Sequence, residues 1–272
     1  MEKVTVISGG AGGMGLATAK IVGKDHHVVL SDVKQQGLEK ASEELKALGI
    51  TCDYLVSDIT DRKSVDELVK LATSKGRLAS VIHTAGLSPQ MATPEIIMRV
   101  NALGTVNISE AFFEVAGEGF AQVNVASMSA YMVPGLLLPK KAYPLALTNP
   151  DKFMKKMLSR SNLLPQEFMK KGMAYSISKN FVVWYSRQSA GKFGQKGARI
   201  LSVSPGSFDT EMGRLEEKSG SAEMLETAAI KRFGRPEEIA ELLAFCAGEK
   251  ASYLTGTDIL CDGGVVAGRV KF

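Results

Sequence analysis

The first half of the chain alternates short apolar runs with longer amphipathic stretches. Residues 4–7, 28–31, 52–56 and 79–84 are short and apolar, as buried strands are, and the stretches between them have the apolar spacing of helices. Strands that follow one another through single helices need right-handed crossovers, which favour a parallel sheet. Ligands of such sheets collect at the carboxyl ends of the strands.

The second half continues this pattern less regularly. Residues 122–126, 199–203 and 258–261 have the character of three further strands, and residues 93–118 have that of one or two helices. We therefore predict the α/β class, with a doubly wound parallel sheet of about seven strands and helices on both faces. With 45% hydrophobic residues, the chain can bury a substantial core, and we expect one domain over residues 1–272.

Composition argues against several classes of function. The net charge is +4, from 33 basic and 29 acidic residues, and no block of like charge suggests nucleic-acid binding. Cys52, Cys246 and Cys261 lack metal-ligand spacing, so we expect neither a disulfide framework nor a metal site. No run of about 18 apolar residues occurs, and the first apolar run begins too early for a signal peptide. We expect a cytoplasmic protein with no membrane partner.

A glycine cluster lies between the first strand and the first helix. Residues 10–15 match G-x-G-x-x-G, and residues 8–15 match a second spacing, S-G-x-x-x-G-x-G. Glycines there allow a tight turn and a close approach to a pyrophosphate, whose charge is met by the amino end of the helix. The cluster predicts a dinucleotide site, and a glycine-rich turn that binds nothing is the alternative.

An acidic residue follows the second strand. Asp32 lies 17 residues after Gly15, where a carboxylate accepts hydrogen bonds from an adenosine ribose and repels a 2′-phosphate. NAD is therefore favoured over NADP, although Lys34 keeps NADP open. The alternative is a solvated acid at a strand end.

A phenol and an ammonium group lie four residues apart in a helical segment. Tyr175 and Lys179 leave the same helix face at this spacing, and Ser127 follows the fifth strand, where a hydroxyl could face a ligand. Each feature alone has an ordinary explanation: a helix face with one aromatic residue and one charge, and a residue in a turn.

Taken together and in order, these motifs resemble those of the classical short-chain dehydrogenases/reductases over nearly the whole chain. The resemblance implies a Rossmann-type, NAD(P)-binding domain. The matching motifs are S-G-x-x-x-G-x-G at 8–15, Asp58, H-T-A-G at 83–86, Asn101, Ser127, Tyr175-x-x-x-Lys179, P-G-x-x-x-T at 205–210 and D-G-G at 262–264.

The resemblance also implies catalytic roles. Tyr175 would be the acid/base, Lys179 its electrostatic partner and a ligand of the nicotinamide ribose, and Ser127 the hydroxyl that polarises the substrate oxygen. Asn101 would interrupt a helix and hold a water of the proton relay. A tyrosine has a pKa of about 10, and a neighbouring cation typically moves it about 1 to 3 units towards the charged form.

By the same resemblance, the cofactor contacts lie along the carboxyl edge of the sheet. They would come from Ser8, Gly9, Gly13, Met14, Gly15, Asp32, Asp58, Ile59, Ala85, Gly86, Tyr175, Lys179, Pro205, Gly206, Phe208 and Thr210.

The chain departs from the family pattern in two places. His83-Thr84 replaces the usual Asn-Asn, and we expect His83 to be a hydrogen-bonded structural residue rather than a catalytic or metal-binding one. We expect the other two histidines, His26 and His27, to lie in a surface loop. About 35 residues are inserted before Tyr175, within 132–172, with two short helices that start near 148–151 and 165, and the second is predicted to end at Gly172. Two interpretations stay open: the insertion lines an adaptable, methionine-containing substrate pocket, or it packs against the body or a partner subunit.

The resemblance implies an oxidoreductase acting on a secondary alcohol or ketone. Asp32 favours NAD as its cofactor, and the methionine-containing insertion favours a hydrophobic substrate of alicyclic or hydroxysteroid-like kind. Residues 207–232 would form the substrate lid, and the protein would be a homodimer or homotetramer. The alternative function is a dinucleotide-binding sensor or scaffold protein without turnover. Retention of both Ser127 and Tyr175 favours the enzyme.

Overall fold

The computed structural model describes residues 2–216 and 222–269 and contains a seven-stranded sheet. All neighbouring strands pair in parallel, in the order β3-β2-β1-β4-β5-β6-β7. The order reverses between β1 and β4, which opens a crevice at their carboxyl ends. The predicted α/β doubly wound sheet is confirmed. The strands are β1 (Lys3–Ser8), β2 (His27–Asp32), β3 (Cys52–Val56), β4 (Arg77–His83), β5 (Ala121–Val125), β6 (Arg199–Pro205) and β7 (Asp258–Cys261).

Helices cover both faces of this sheet. Among the described residues, no helix is long and apolar enough to cross a lipid bilayer. The helices are α1 (Gly13–Val22), α2 (Gln35–Ala47), α3 (Arg62–Lys75), α4 (Pro94–Met98), α5 (Gly104–Val115), α6 (Leu145–Thr148), α7 (Pro150–Ser161), α8 (Glu167–Gly194), α9 (Glu211–Glu216), α10 (Ala222–Thr227), α11 (Pro236–Ala247) and α12 (Val265–Gly268).

The strands feed two hydrophobic cores, one on each face. Val28 and Leu30 of β2 point into the core under α1, α2 and α11, whereas Val29 points into the core under α3, α5 and α8. Side chains alternate between the faces of a strand, so a sheet covered on both sides needs continuous apolar strands. This requirement explains why the strand segments are recognisable in the sequence.

The predicted insertion, residues 132–172, contributes to one of these cores. Phe153 and Met157 on α7 are fully buried there, and the ring of Tyr143 lies 5.4 Å from that of Phe181 on α8. The predicted end of the second helix at Gly172 is wrong, because α8 runs without interruption from Glu167 to Gly194. Gly172 lowers helix stability by only about 1 kcal/mol, which packing on either side can offset.

The segment predicted as a lid is tied to the body at both ends. Phe208 forms a parallel bridge with Gly234, and the N–H of Ile230 donates to the carbonyl of Gly263 at 2.9 Å. Helices α9 and α10 lie between these anchors. Part of the predicted lid, residues 217–221, lies outside the described residues.

Gly9 tests how tightly the β1–α1 loop is packed. Gly9 and Gly49 have nearly the same positive φ, 75° and 76°, but only Gly9 has close neighbours. We expect Gly49→Ala to lower the free energy of unfolding by about 1–2 kcal/mol through backbone strain alone. Gly9→Ala should lower it by about 1–3 kcal/mol more, through overlap with Ala85. Urea unfolding measures both variants, and equal losses would contradict the close packing.

Candidate active site

The glycine loop between β1 and α1 folds back on the end of β4. The N–H of Gly9 donates to the carbonyl of Ser31 at 2.7 Å. A Cβ at Gly9 would lie 2.6 Å from the nitrogen of Ala85, and a Cβ at Gly15 would lie 2.3 Å from the oxygen of Gly9. Only glycine fits these positions, and the amino end of α1 is placed at the carboxyl edge of the sheet. Such an amino end fits the pyrophosphate of a dinucleotide.

A chain of hydrogen bonds runs from this loop into the sheet. The hydroxyl of Ser8 lies 2.5 Å from Nδ1 of His83, and Nε2 of His83 lies 3.1 Å from the hydroxyl of Thr105. The Thr105 hydroxyl donates to the carbonyl of Asn101 at 2.7 Å. Because that hydroxyl has only one proton, Nε2 must donate to Thr105, and Nδ1 accepts the proton of Ser8. His83 is thus a hydrogen-bonded structural residue, as expected.

Burial fixes the charge of this histidine. His83 is 1% exposed, and burial lowers its pKa from 6.5 to about 3, with a smaller contribution from the nearby ammonium of Lys179. In the neutral imidazole that burial favours, with its proton on Nε2, Nδ1 is the acceptor for the Ser8 hydroxyl. Among the described residues, no group of three or more His, Cys, Asp or Glu side chains could hold a metal ion.

Asn101 lies in a π-helical turn, Arg99–Leu103, between α4 and α5. Its Nδ2 donates to the carbonyl of Leu87 at 3.0 Å and to the hydroxyl of Ser178 at 3.2 Å, and its Oδ1 accepts from the N–H of Leu87 at 2.8 Å. Single π turns within helices occur frequently at functional sites. The side chain joins α8 to the loop after β4.

Lys179 is buried beside Asn101. Its Nζ donates to the carbonyl of Val125 at 3.0 Å and lies 5.9 Å from the centre of the Tyr175 ring. A Cβ at Gly86 would lie 3.2 Å from this Nζ and 3.1 Å from Oδ1 of Asn101. The absence of a side chain at Gly86 therefore allows the ammonium, the amide and the loop after β4 to meet.

Ser127 follows β5 on the same edge of the sheet. Its Oγ accepts the N–H of Ser129 at 3.2 Å, which leaves the proton of the hydroxyl available for donation. Nδ2 of Asn180 donates to the carbonyl of Ala130 at 2.9 Å, and this bond ties α8 to the turn after Ser127. Ser127, Tyr175 and Lys179 thus lie on two elements that are fastened to each other.

The acidic residues predicted to contact the cofactor lie at strand ends. Asp32 ends β2, and its Oδ1 accepts the N–H of Lys34 at 3.2 Å. Asp58 follows β3, and its Oδ1 accepts both the N–H and the hydroxyl of Thr60 at 2.8 Å. The side chain of Ile59 is buried in the core, so a cofactor contact from this residue would come from its backbone.

The loop after β6 returns to the glycine loop. Gly206, next to Pro205, donates its N–H to the carbonyl of Cys261 at 2.9 Å. The methyl group of Thr210 would lie 3.1 Å from a Cβ at Gly13. Phe208 is buried, with its ring against Gly234, so its backbone is the part that remains for a cofactor.

Met14 follows Gly13 in the first turn of α1, where it is partly buried and packs against the core on the α1 face. The predicted site residues therefore lie on the glycine loop, α1, α8, the π turn, the last residues of the strands or the loops that follow them.

Sequence reasoning missed several contributors. Thr105, Ser178 and the carbonyl of Val125 hold Asn101 and Lys179, and Ser178 lies within the Tyr175–Lys179 motif itself. Thr105 could also have been identified from the sequence, because a residue four positions after Asn101 lies one turn further along the same face of a helix.

The expectation that His27 lies in a surface loop is wrong. It is the first residue of β2, 6% exposed, with Nε2 2.7 Å from Oδ2 of Asp53.

Comparisons with known proteins agree with this geometry. The short chain dehydrogenase family model matches residues 3–137, and a model described as enoyl-(acyl carrier protein) reductase matches residues 140–266. The short-chain dehydrogenase/reductase bsc3 of Alternaria brassicicola is 32% identical over 271 residues, which cover 98% of this chain and 97% of that protein. The cyclohexanol dehydrogenase of an Acinetobacter species is 28% identical, over 96% of this chain and 94% of its own.

Solved structures have the same fold. A short-chain dehydrogenase from Burkholderia cenocepacia, crystallised with NADP, superposes with a TM-score of 0.76 at 23% identity, over 97% of both chains. The structure of gox2181 gives a TM-score of 0.77 at 22% identity, over 98% of this chain and 96% of that one. The chain belongs to the short-chain dehydrogenase/reductase family, whose members are NAD(P)-binding oxidoreductases.

The buried neutral histidine predicts a pH dependence of stability. Below pH 6.5 the unfolded chain binds a proton at His83, whereas the folded chain does not until about pH 3. The stability of the wild type relative to His83→Asn should therefore fall by up to about 1.4 kcal/mol per pH unit between these values and be constant above pH 7. Urea unfolding across pH 4–8 measures the difference, and the other histidines cancel in it. Parallel profiles for the two proteins would contradict a buried neutral imidazole.

Proposed function

We propose that this protein is an NAD-dependent dehydrogenase or ketone reductase acting on a hydrophobic secondary alcohol or ketone. The observation that carries the proposal is the buried ammonium of Lys179, held by the carbonyl of Val125 and 5.9 Å from the centre of the Tyr175 ring. An ammonium so placed favours the phenolate over the phenol, because opposite charges stabilise each other. A helix face that carried an aromatic residue and a charge by coincidence would leave the lysine in solvent.

Each site residue then has a defined task. Tyr175 takes the alcohol proton in oxidation and returns it in reduction, and Lys179 stabilises the charge that remains on the phenol oxygen. Ser127 donates its hydroxyl proton to the substrate oxygen and orients the substrate. Asn101, held by Leu87 and Ser178, keeps the π turn beside Lys179. The nicotinamide supplies hydride chemistry when it is bound.

The chain's own residues also provide the cofactor contacts. The glycine loop and the amino end of α1 would hold the pyrophosphate, and Asp32 would accept hydrogen bonds from the adenosine ribose. The loops at 85–86 and 205–210 would border the nicotinamide. Gly86 also leaves the space in which Lys179 approaches this region.

Apolar surroundings support a hydrophobic substrate. Met128, buried directly after Ser127, packs with Met132, Ala228, Val265 and Val266 in a small cluster. Two relatives are named for ring alcohols, a cyclohexanol dehydrogenase and a cis-4-hydroxycyclohexanecarboxylate dehydrogenase. We therefore place alicyclic secondary alcohols first in the substrate class and hydroxysteroid-like compounds second.

The arrangement of the whole chain belongs to the same proposal. We propose a single NAD(P)-binding domain in the cytoplasm, with residues 207–232 as the substrate lid, assembled into a homodimer or homotetramer. Helix α7 of the insertion packs against α4 and α8, the helices next to Asn101 and Tyr175. An interface formed by those helices would therefore include the insertion.

Replacing Tyr175 tests the chemistry. Tyr175→Phe should lower kcat for cyclohexanol oxidation with NAD by a factor of about 100 to 10,000, because the proton transfer is lost, while NADH binding measured by fluorescence stays within a few-fold. Tyr185→Phe is the matched control. Its hydroxyl, also on α8, donates to Glu110 at 2.8 Å, so its removal should cost about 1 kcal/mol of stability and leave kcat unchanged.

Two results would reject the mechanism. Turnover by Tyr175→Phe at the wild-type rate would remove Tyr175 from proton transfer. If the wild type binds NADH but turns over none of a panel of cyclic, linear and steroid alcohols and ketones, the sensor function is the better explanation.

Replacing Asp32 tests the cofactor preference. We expect the wild type to use NAD at least about tenfold better than NADP in kcat/KM, because the carboxylate repels the 2′-phosphate. Asp32→Ala should reduce that ratio about tenfold or more. Glu39→Gln removes the same charge from helix α2 and should leave the ratio unchanged. A preference for NADP in the wild type would overturn the assignment of Asp32.

A further inference from the structure

The insertion carries a second cavity that has no part in the proposed chemistry. It measures about 840 Å³ and lies between the turn-forming segment 135–142 and the exposed face of α7. This size is within the range of about 300–1,000 Å³ that is typical of small-molecule sites. We call this cavity the insertion groove; it is bordered by Leu136, Lys140, Lys141, Lys156, Arg160 and Leu163.

Positive charge is concentrated in the insertion groove. Lys140 and Lys141 lie on one side, and Lys156 and Arg160, one helical turn apart on α7, lie on the other. None of the residues that line the groove is acidic. Across the described chain, the ion pairs involve other lysines and arginines, and none of these four has a carboxylate within salt-bridge distance. Four unneutralised cations around one groove repel one another, and a bound anion would relieve that repulsion.

The groove also exposes apolar surface. Leu136 is 94% exposed and Leu163 is 76% exposed, while Leu138 is buried among the lining residues. Exposed apolar surface that is rimmed by polar groups marks binding sites. A small inorganic anion would not bury the leucines, and a neutral hydrocarbon would not neutralise the four cations. The combination matches a ligand with an anionic head and an alkyl chain.

The position of α7 argues against a membrane as the occupant. An interfacial helix buries its own apolar face among lipid chains. The apolar face of α7, formed by Phe153, Met154 and Met157, is instead buried in the protein, and its basic face borders the groove. The structure offers a cavity for one molecule rather than a helix for a lipid surface.

We propose that the insertion groove binds a single-chain anionic amphiphile, that is, a fatty-acid-like carboxylate whose head is held by Lys140, Lys141, Lys156 and Arg160 and whose chain lies along the leucines. The groove is distinct from the Ser127, Tyr175 and Lys179 site, and its occupation does not depend on the proposed reaction.

The fluorescence of a single tryptophan can report binding in the groove. Trp184 is the single tryptophan, and it lines a cleft of about 180 Å³ that shares Lys140 with the groove. Dodecanoate, titrated below its micelle concentration into the full-length protein without nicotinamide, should change the Trp184 emission in a saturable way. Calorimetry provides the affinity independently. Acetate has the charge without the chain and dodecyltrimethylammonium has the chain without the negative charge, so both should bind at least about tenfold more weakly.

Variants separate the groove from general surface charge. Lys156→Gln with Arg160→Gln should weaken dodecanoate binding at least about tenfold, because two charge-assisted contacts are lost. Lys152→Gln with Lys155→Gln removes the same charge from the same helix outside the groove and should leave the affinity unchanged. Both pairs are exposed on α7, so neither double variant should lower the stability of the fold. Equal midpoints of urea unfolding check this.

Three outcomes would overturn the proposal. The first is equal affinity for dodecanoate and dodecyltrimethylammonium, which would indicate hydrophobic adsorption. The second is equal loss of affinity in both double variants, which would indicate a diffuse charge effect. The third is binding to vesicles of phosphatidylglycerol and phosphatidylcholine but not to monomeric dodecanoate, which would make the groove a membrane contact.

Discussion

Burying an ammonium group costs several kcal/mol unless its protons find acceptors, and Lys179 sits 5% exposed at the carboxyl edge of the sheet. The carbonyl of Val125 accepts one proton, the face of the Tyr175 ring lies close by, and the absence of a side chain at Gly86 keeps the space open. Much of the site geometry follows from satisfying this one cation. Strand β5 must end at Val125 for its carbonyl to be available, and α8 must pass that strand end with Lys179 within hydrogen-bond distance of it. The residue two positions beyond Val125 is Ser127, which is thereby brought to the same edge.

The hydrogen-bond chain through His83 fixes the other side of the crevice. Ser8 ends β1 directly before the glycine loop, and Asn101 belongs to the π turn, so the imidazole connects the strand end that carries the glycine loop with the turn next to Lys179. In the neutral imidazole one nitrogen donates and the other accepts, which matches a donor at Nε2 towards Thr105 and an acceptor at Nδ1 for the Ser8 hydroxyl. Burial lowers the pKa and so preserves the tautomer on which the connection depends. A charged His83 would donate from both nitrogens, so Nδ1 would no longer accept the proton of Ser8.

Much of the fold could be predicted from the sequence because a sheet that is covered on both faces requires apolar strands, and glycine loops and strand-end acids have steric and electrostatic causes that are local. The parts that could not be predicted depend on tertiary contacts. No atom lies within 4 Å of the position that a Cβ of Gly172 would take, so local contacts do not decide whether α8 ends there. Packing further along the helix keeps α8 continuous. The sequence predicts a surface loop at His27, but β2 begins with this residue, and its side chain contacts that of Asp53 on the neighbouring strand. Pairing across strands is invisible in one segment of sequence.

The predicted insertion, residues 132–172, packs against the helix that carries the proposed proton-transfer residues. Helix α8 has 28 residues, and its first two turns precede Tyr175, so the tyrosine lies inside the helix and not in its fraying first turn. The buried ring of Tyr143 packs against Phe181 and Trp184, and its hydroxyl donates to Asn180, the neighbour of Lys179. The predicted insertion therefore includes the first residues of α8, before Tyr175, and packs against α8 just after Lys179. The same segment carries the insertion groove, so residues 132–172 both pack against the helix of the site and form the proposed binding groove.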